Sequence, residues 1–194
     1  MDDLQECAFA FSRLFDFRYR IIIGRKQIQR EIILQFSPSE FHHLIGLHYL
    51  KDLDYFMKTD KNTIFSDILE GRKCLKDVHK SFYYESIADR IREFSKIISD
   101  LFDVSKIVFK YVNPVYLGSN LQAEYLIKCV SHTGTISFLF LDKDEENQET
   151  HFCRSFFVYS IRDYSKNQSS FIVIYIEKTN LQTQEVEIIL NKMK

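Results

Sequence analysis

Apolar residues recur at Leu4, Cys7, Ala8, Phe11, Leu14 and Phe15, a spacing of three and four that predicts a helix over residues 3–17. Residues 19–23 and 28–36 read as strands joined by a turn at Gly24-Arg25-Lys26, which predicts a hairpin. Ser37-Pro38-Ser39-Glu40 is a helix start, with a capping-type Ser and a Pro in the first turn. The helix it opens is expected to run through Phe41-His42-His43-Leu44-Ile45-Gly46-Leu47-His48 to about Leu53. Short helices follow around residues 64–69 and 75–79, broken at Gly71. Ile87, Ile91, Phe94, Ile98 and Leu101 make residues 85–102 the clearest amphipathic helix.

The texture then changes. Alternation and β-branched content predict strands at 105–112, 123–130, 135–142, 151–159, 171–177 and 185–190. Turns are expected at Asn113-Pro114, His132-Thr133-Gly134 and 142–148. Helices early and strands late predict an α+β fold, N-terminal helices packed on a C-terminal antiparallel β-sheet, in one domain spanning residues 1–194.

Composition narrows the function classes. The 194 residues are 45% hydrophobic, enough to bury a core, and carry a formal charge of −1. No global basic field attracts nucleic acid, so any such site must be a local patch. Cys7, Cys74, Cys129 and Cys153 form no C-x-x-C pair. With no signal-peptide pattern and no long apolar run, the expectation is a reduced, cytoplasmic protein with no membrane contact.

Three of the six histidines fall within residues 42–48, and histidine is the side chain that titrates near neutrality. On one continuous helix, Phe41, Leu44, Ile45 and His48 share a side, while His43, Gly46, Leu47 and Leu50 share the other. Both sides are mostly apolar, so the helix is expected to be buried, with His42 pointing outward. His43 is then either a hydrogen-bonded core histidine or a working acid or base. His42 and His48 read as structural, and His79, His132 and His151 as isolated surface or loop residues. His43 and His48 would face about 140° apart, so no metal site is expected. There is no P-loop, dinucleotide fingerprint, G-x-S-x-G or H-E-x-x-H, and no cofactor is expected.

A second unusual stretch is Cys153-Arg154-Ser155-Phe156-Phe157, followed by Ile161-Arg162-Asp163-Tyr164-Ser165-Lys166-Asn167-Gln168. Ser155, Arg162, Tyr164, Lys166 and Gln168 are donor types that bind a phosphate or a sugar hydroxyl. An ordinary polar hairpin loop would contain the same residues.

Together the two stretches resemble a known family. F-x-H-L-x-G-L-x-x-L-x-D, residues 41–52 here, resembles the N-terminal signature of the fourth phage-associated branch of the Barnase–EndoU–colicin–RelE nuclease superfamily. Ser155-Phe156-Phe157, Asp163-Tyr164 and Gln168 are similar to that branch's C-terminal pattern, as is the apolar strand ending in Glu177-Lys178. Ala123-Glu124-Tyr125-Leu126-Ile127 and the strand at 138–141 also fit. The resemblance spans residues 15–180. It implies helices packed on a small antiparallel sheet and metal-independent RNA cleavage, in which the ribose 2′-hydroxyl attacks phosphorus and leaves a cyclic phosphate. That step needs a base, an acid and cations or amides for the phosphorane charge. The resemblance makes His43 the acid or base, with burial beside Leu47 and Leu50 expected to lower its pKa. It makes Ser155 and Tyr164 members of the catalytic set. Gln168, Arg162, Lys178 and Lys51 are the expected substrate-binding residues. It implies RNA as partner, such as tRNA or ribosome-bound RNA, and an antitoxin or inhibitor protein. The alternative is an inactive member that binds nucleic acid or protein in phage–host conflict.

Overall fold

The computed structural model describes residues 1–102, 107–113, 121–131, 134–160 and 162–193. The chain divides into two compact units that interleave along the sequence: residues 1–15 with 37–99, and 16–36 with 100–194.

The first unit is helical. It holds α1 (Asp3–Ser12), α2 (Pro38–Leu44), α3 (Asp54–Lys58), α4 (Lys61–Leu69), α5 (Leu75–Val78) and α6 (Ala88–Ser99). Its core centres on Phe41, fully buried. The rings of Phe11, Phe65 and Phe94 stand 6.0, 5.2 and 6.0 Å away, at aromatic packing distance. Asp2 caps α1 by accepting from the Gln5 N–H at 3.0 Å, and its other oxygen accepts from the Leu75 N–H at 2.6 Å. The expected apolar positions of α6, from Ile87 to Leu101, are all buried.

Helix α2 starts as its sequence predicts, with Pro38 in the first turn and the Ser37 N–H donating to Glu40 Oε1 at 2.8 Å. It does not continue to Leu53. It ends at Leu44, Gly46 takes a left-handed φ of 90°, and Leu47–Tyr49 forms a separate 3-10 turn. The Ile45 N–H donates to the Phe41 carbonyl and the Gly46 N–H to the His43 carbonyl, which closes the helix as a glycine C-cap.

The second unit is a sheet of β1 (Phe17–Arg25), β2 (Ile28–Leu34), β3 (Ile107–Lys110), β4 (Tyr125–Val130), β5 (Ile136–Lys143), β6 (Thr150–Val158), β7 (Ser169–Asn180) and β8 (Val186–Asn191). The strand order is β1-β2-β6-β5-β4-β3-β7-β8, and β1 also pairs with β7, so the pairings close into a ring. Two expectations are corrected here. The sheet is not confined to the C-terminal half, because the early hairpin β1–β2 belongs to it. Nor is it wholly antiparallel, because β2 pairs with β6 in parallel at Ile33–Thr150 and Leu34–His151. Phe109, Tyr111, Leu126, Phe138, Phe140 and Tyr164 form a buried cluster in this unit. Residues 105 and 106 of the expected third strand, Pro114 and the His132-Thr133 turn lie outside the described residues. Among the described residues no helix is long and apolar enough to cross a membrane.

Gly46 has a backbone only glycine adopts easily, and a Cβ there would meet Ile87 Cγ2 at 2.7 Å and Arg90 Cδ at 3.3 Å. Gly46→Ala is expected to destabilise the protein by about 2 kcal/mol, read as a lower urea midpoint with unchanged slope.

Candidate functional site

The break at Gly46 rearranges the histidines. His42 is buried, not outward, and its Nε2–H donates to the Phe56 carbonyl at 2.8 Å, tying α2 to α3. His43 is exposed, not buried beside Leu47 and Leu50. Once the chain turns at Gly46, His48 comes back against His43, and the two rings stack at 4.0 Å with an interplanar angle of 11°. The helical wheel put them on opposite sides because it assumed that the helix continues.

Burial lowers the pKa of His42. It also pushes His48 down, to about 3, with the charges of His43 and Arg90 adding to the effect and a hydrogen bond to the His42 main chain opposing it. His48 is therefore the neutral member of the stacked pair near neutrality. Arg90 is a cation that the sequence reading missed. It lies at 8% exposure on α6, with its guanidinium 5.1 Å from the centre of the Tyr49 ring. The close approach that Gly46 permits is thus to Arg90 and Ile87. Three imidazoles converge here, yet no group of three or more His, Cys, Asp or Glu among the described residues is arranged to hold a metal ion.

Other residues of the first stretch carry structure. Asp52 accepts from the Ser81 hydroxyl at 2.5 Å and the Phe82 N–H at 2.8 Å, pinning the segment after the 3-10 turn. Lys51 is exposed.

The second stretch lies in the sheet unit. Ser155 is 4% exposed on β6, opposite Phe140 of β5. Tyr164 is 6% exposed, and its ring stands 5.5 Å from Phe138, 5.2 Å from Phe140 and 5.5 Å from Phe157. Gln168 uses its whole amide as a clamp: the Val112 N–H donates to Oε1 at 2.9 Å, and Nε2 donates to the Val112 carbonyl at 2.8 Å. Arg162 is exposed. Lys178 pairs with Glu187 at 2.9 Å and stands 5.1 Å from the Phe17 ring. The structure therefore seats Ser155, Tyr164 and Gln168 in packing and backbone support.

A polar cluster in the same unit was not visible in the sequence. Lys110 Nζ donates to Glu124 Oε1 at 2.8 Å, and His151 Nε2 donates to Glu124 Oε2 at 3.1 Å. Burial raises the Glu124 pKa, but the hydrogen bonds from Lys110 and His151 outweigh it, so the carboxyl titrates below its ordinary value. His151 is no loop residue; it is 4% exposed on β6. His79, by contrast, is exposed as expected, against the Tyr84 ring at 4.1 Å.

An exposed imidazole stacked on a neutral one, with the Arg90 charge acting on the second ring, is an arrangement in which a solvent-facing ring could exchange a proton beside fixed positive charge. The sequence model of PBECR4, described as phage-Barnase-EndoU-ColicinE5/D-RelE like nuclease4, matches residues 3–193, and the chain belongs to this family. The family is named for a nuclease of the Barnase, EndoU, colicin and RelE type. No curated protein and no solved structure is detectably similar to the chain.

His48 gives the fold an acid-sensitive element. Its folded pKa lies below the ordinary 6.5, so its contribution to stability is complete above pH 6.5 and is lost as pH falls toward 3. From pH 7 to pH 5, the wild-type Tm should fall by roughly 2–4 °C more than that of His48→Phe, after allowance for the ring's partial exposure. Equal falls in a pair of thermal melts would show that His48 is not held neutral.

Proposed function

We propose that this chain is a metal-independent RNA endonuclease of the toxin or phage-defence type, working in the cytoplasm on an RNA such as tRNA or ribosome-bound RNA. An antitoxin or inhibitor protein would be its protein partner. The observation that carries the reading is His43, which matches the motif histidine and stands exposed on a neutral imidazole. A single exposed ring that can gain and lose a proton is what 2′-hydroxyl attack requires. In that step the ribose 2′-oxygen bonds to phosphorus and its proton passes to the base. The bond from phosphorus to the 5′-oxygen breaks, and that oxygen takes a proton from the acid. A 2′,3′-cyclic phosphate and a 5′-hydroxyl result. His43 serves as acid or base, and Arg90 supplies positive charge in the same unit for the phosphorane. Arg162, Lys178 and Lys51 are proposed to bind the RNA backbone. Tyr164 and Gln168 anchor the segment that carries Arg162, by ring packing and by the clamp on Val112, while Ser155 is packed on β6.

The burial of Ser155 and Tyr164 favours one rival, an inactive family member that binds nucleic acid or a protein partner. Expression in a bacterial host separates the two. Wild type should arrest growth and fragment RNA, leaving cyclic phosphate ends, with no loss of cleavage in chelator. His43→Ala should lower cleavage by about 10²–10⁴-fold while keeping its thermal melt. Intact RNA under wild-type expression would remove the nuclease reading. Full activity in His43→Ala would remove the role of that residue.

A further inference from the structure

The parallel contact between β2 and β6 is two residue pairs long, Ile33–Thr150 and Leu34–His151. On the N-terminal side of those pairs a cleft of about 520 Å³ opens, lined by Arg30 of β2, by Lys143 at the end of β5, and by Gln148, Glu124, Tyr125 and His151. Its volume is in the range of small-ligand sites.

The charges in the cleft are unevenly matched. Glu124 is already engaged by Lys110 and His151. Glu31, also on the wall, is held by Arg20. Glu149 remains as the other carboxylate of the lining. Arg30 and Lys143 make no ion pair among the described residues; Arg30 is hydrogen-bonded to Tyr125. Two cations thus face the cleft while most of its carboxylate charge is spoken for. His151, also on the wall, keeps Nε2 on Glu124, and its buried Nδ1 has no hydrogen-bond partner among the described residues. A buried imidazole nitrogen without a partner carries a desolvation cost that a donor from a bound molecule would relieve.

We propose that this cleft is a nucleotide-binding subsite, with the phosphate between Arg30 and Lys143 and a donor of the sugar or base directed toward His151. A bidentate guanidinium and a mobile ammonium suit a phosphate dianion. Glu124 and Lys110 hold the His151 ring and so act as positioning residues. Taking the nucleotide as one unit of an RNA strand rests on the nuclease reading above. The binding itself does not depend on that reading.

The test is an NMR titration of ¹⁵N-labelled full-length His43→Ala protein with 5′-UMP, 5′-AMP, inorganic phosphate and a short oligoribonucleotide. The expected result is saturable shifts at the backbone amides of residues 30–31, 124–125, 143 and 148–151. Affinity for a mononucleotide should exceed that for phosphate, and Arg30→Glu or Lys143→Glu should weaken binding about tenfold or more. Each variant keeps its fold if its remaining amide spectrum is unchanged. Absence of shifts in this segment with every probe, or equal binding by Arg30→Glu, overturns the site. Phosphate binding as well as the mononucleotide overturns the sugar and base contact. Oligoribonucleotide binding more tightly than mononucleotide supports the RNA strand; the reverse order identifies a free nucleotide as the ligand. If nucleotide binds here but wild type cleaves no RNA, the nuclease reading fails and the site stands.

Discussion

The left-handed turn at Gly46 governs the chemistry of the helical unit. At a φ of 90°, with Ile87 and Arg90 closed over the place where a side chain would begin, no other residue fits without strain. Because the helix stops there, its last turn presents His42 to the Phe56 carbonyl and His43 to solvent. Because the chain reverses there, the His48 ring lands on His43. The low pKa of His48 follows from that landing, since the ring is half-buried and sits among other positive or proton-carrying groups. One backbone angle thus turns three histidines into a structural ring, a neutral platform and an exposed imidazole stacked on it.

The residues matching the family pattern divide by what they touch. Asp52 holds a loop by two hydrogen bonds. Tyr164 sits in the aromatic cluster, and Gln168 substitutes for a strand by bonding both main-chain groups of Val112. Polar residues in such roles look like catalytic equipment in a sequence, because the same donors and acceptors serve both purposes. Burial and partner identity separate the two uses: of the polar pattern residues His43 and Asp52 are exposed, and Asp52 is held by its two hydrogen bonds.

The legible parts of the fold were those set by local periodicity. The β1–β2 hairpin, the strand sequence through β8 and the α6 stripe from Ile87 to Leu101 follow the alternation and the three-and-four spacing in the chain. The end of α2 was masked because apolar residues continue on both sides of Gly46, although a glycine closing a helix is itself a stop signal. The Lys110–Glu124–His151 cluster could not be read at all. Its members are separated by 14 and 27 residues. Antiparallel registers bring them together, with Lys110 opposite Tyr125, Tyr125 opposite Leu141 and Leu141 opposite Cys153. Nothing local in the sequence encodes that register. The parallel junction of β2 with β6, which opens the cleft, is equally non-local.

A protein of net charge −1 has no long-range attraction for a polyanion. Any affinity for one must come from cations whose own partners are absent or weak. In the cleft this is arranged by assigning the acidic groups elsewhere: Arg20 takes Glu31, and Lys110 with His151 takes Glu124. Arg30 and Lys143 are then left facing the same space. The helical unit follows a related logic, in which Arg90 rests on the Tyr49 ring and its field helps to keep His48 neutral. Local disposition of charge, more than its total, is what makes recognition of a phosphate physically reasonable for so neutral a chain. Few phosphates need be engaged for this, so such binding would depend on salt far less than that of a basic protein that neutralises many.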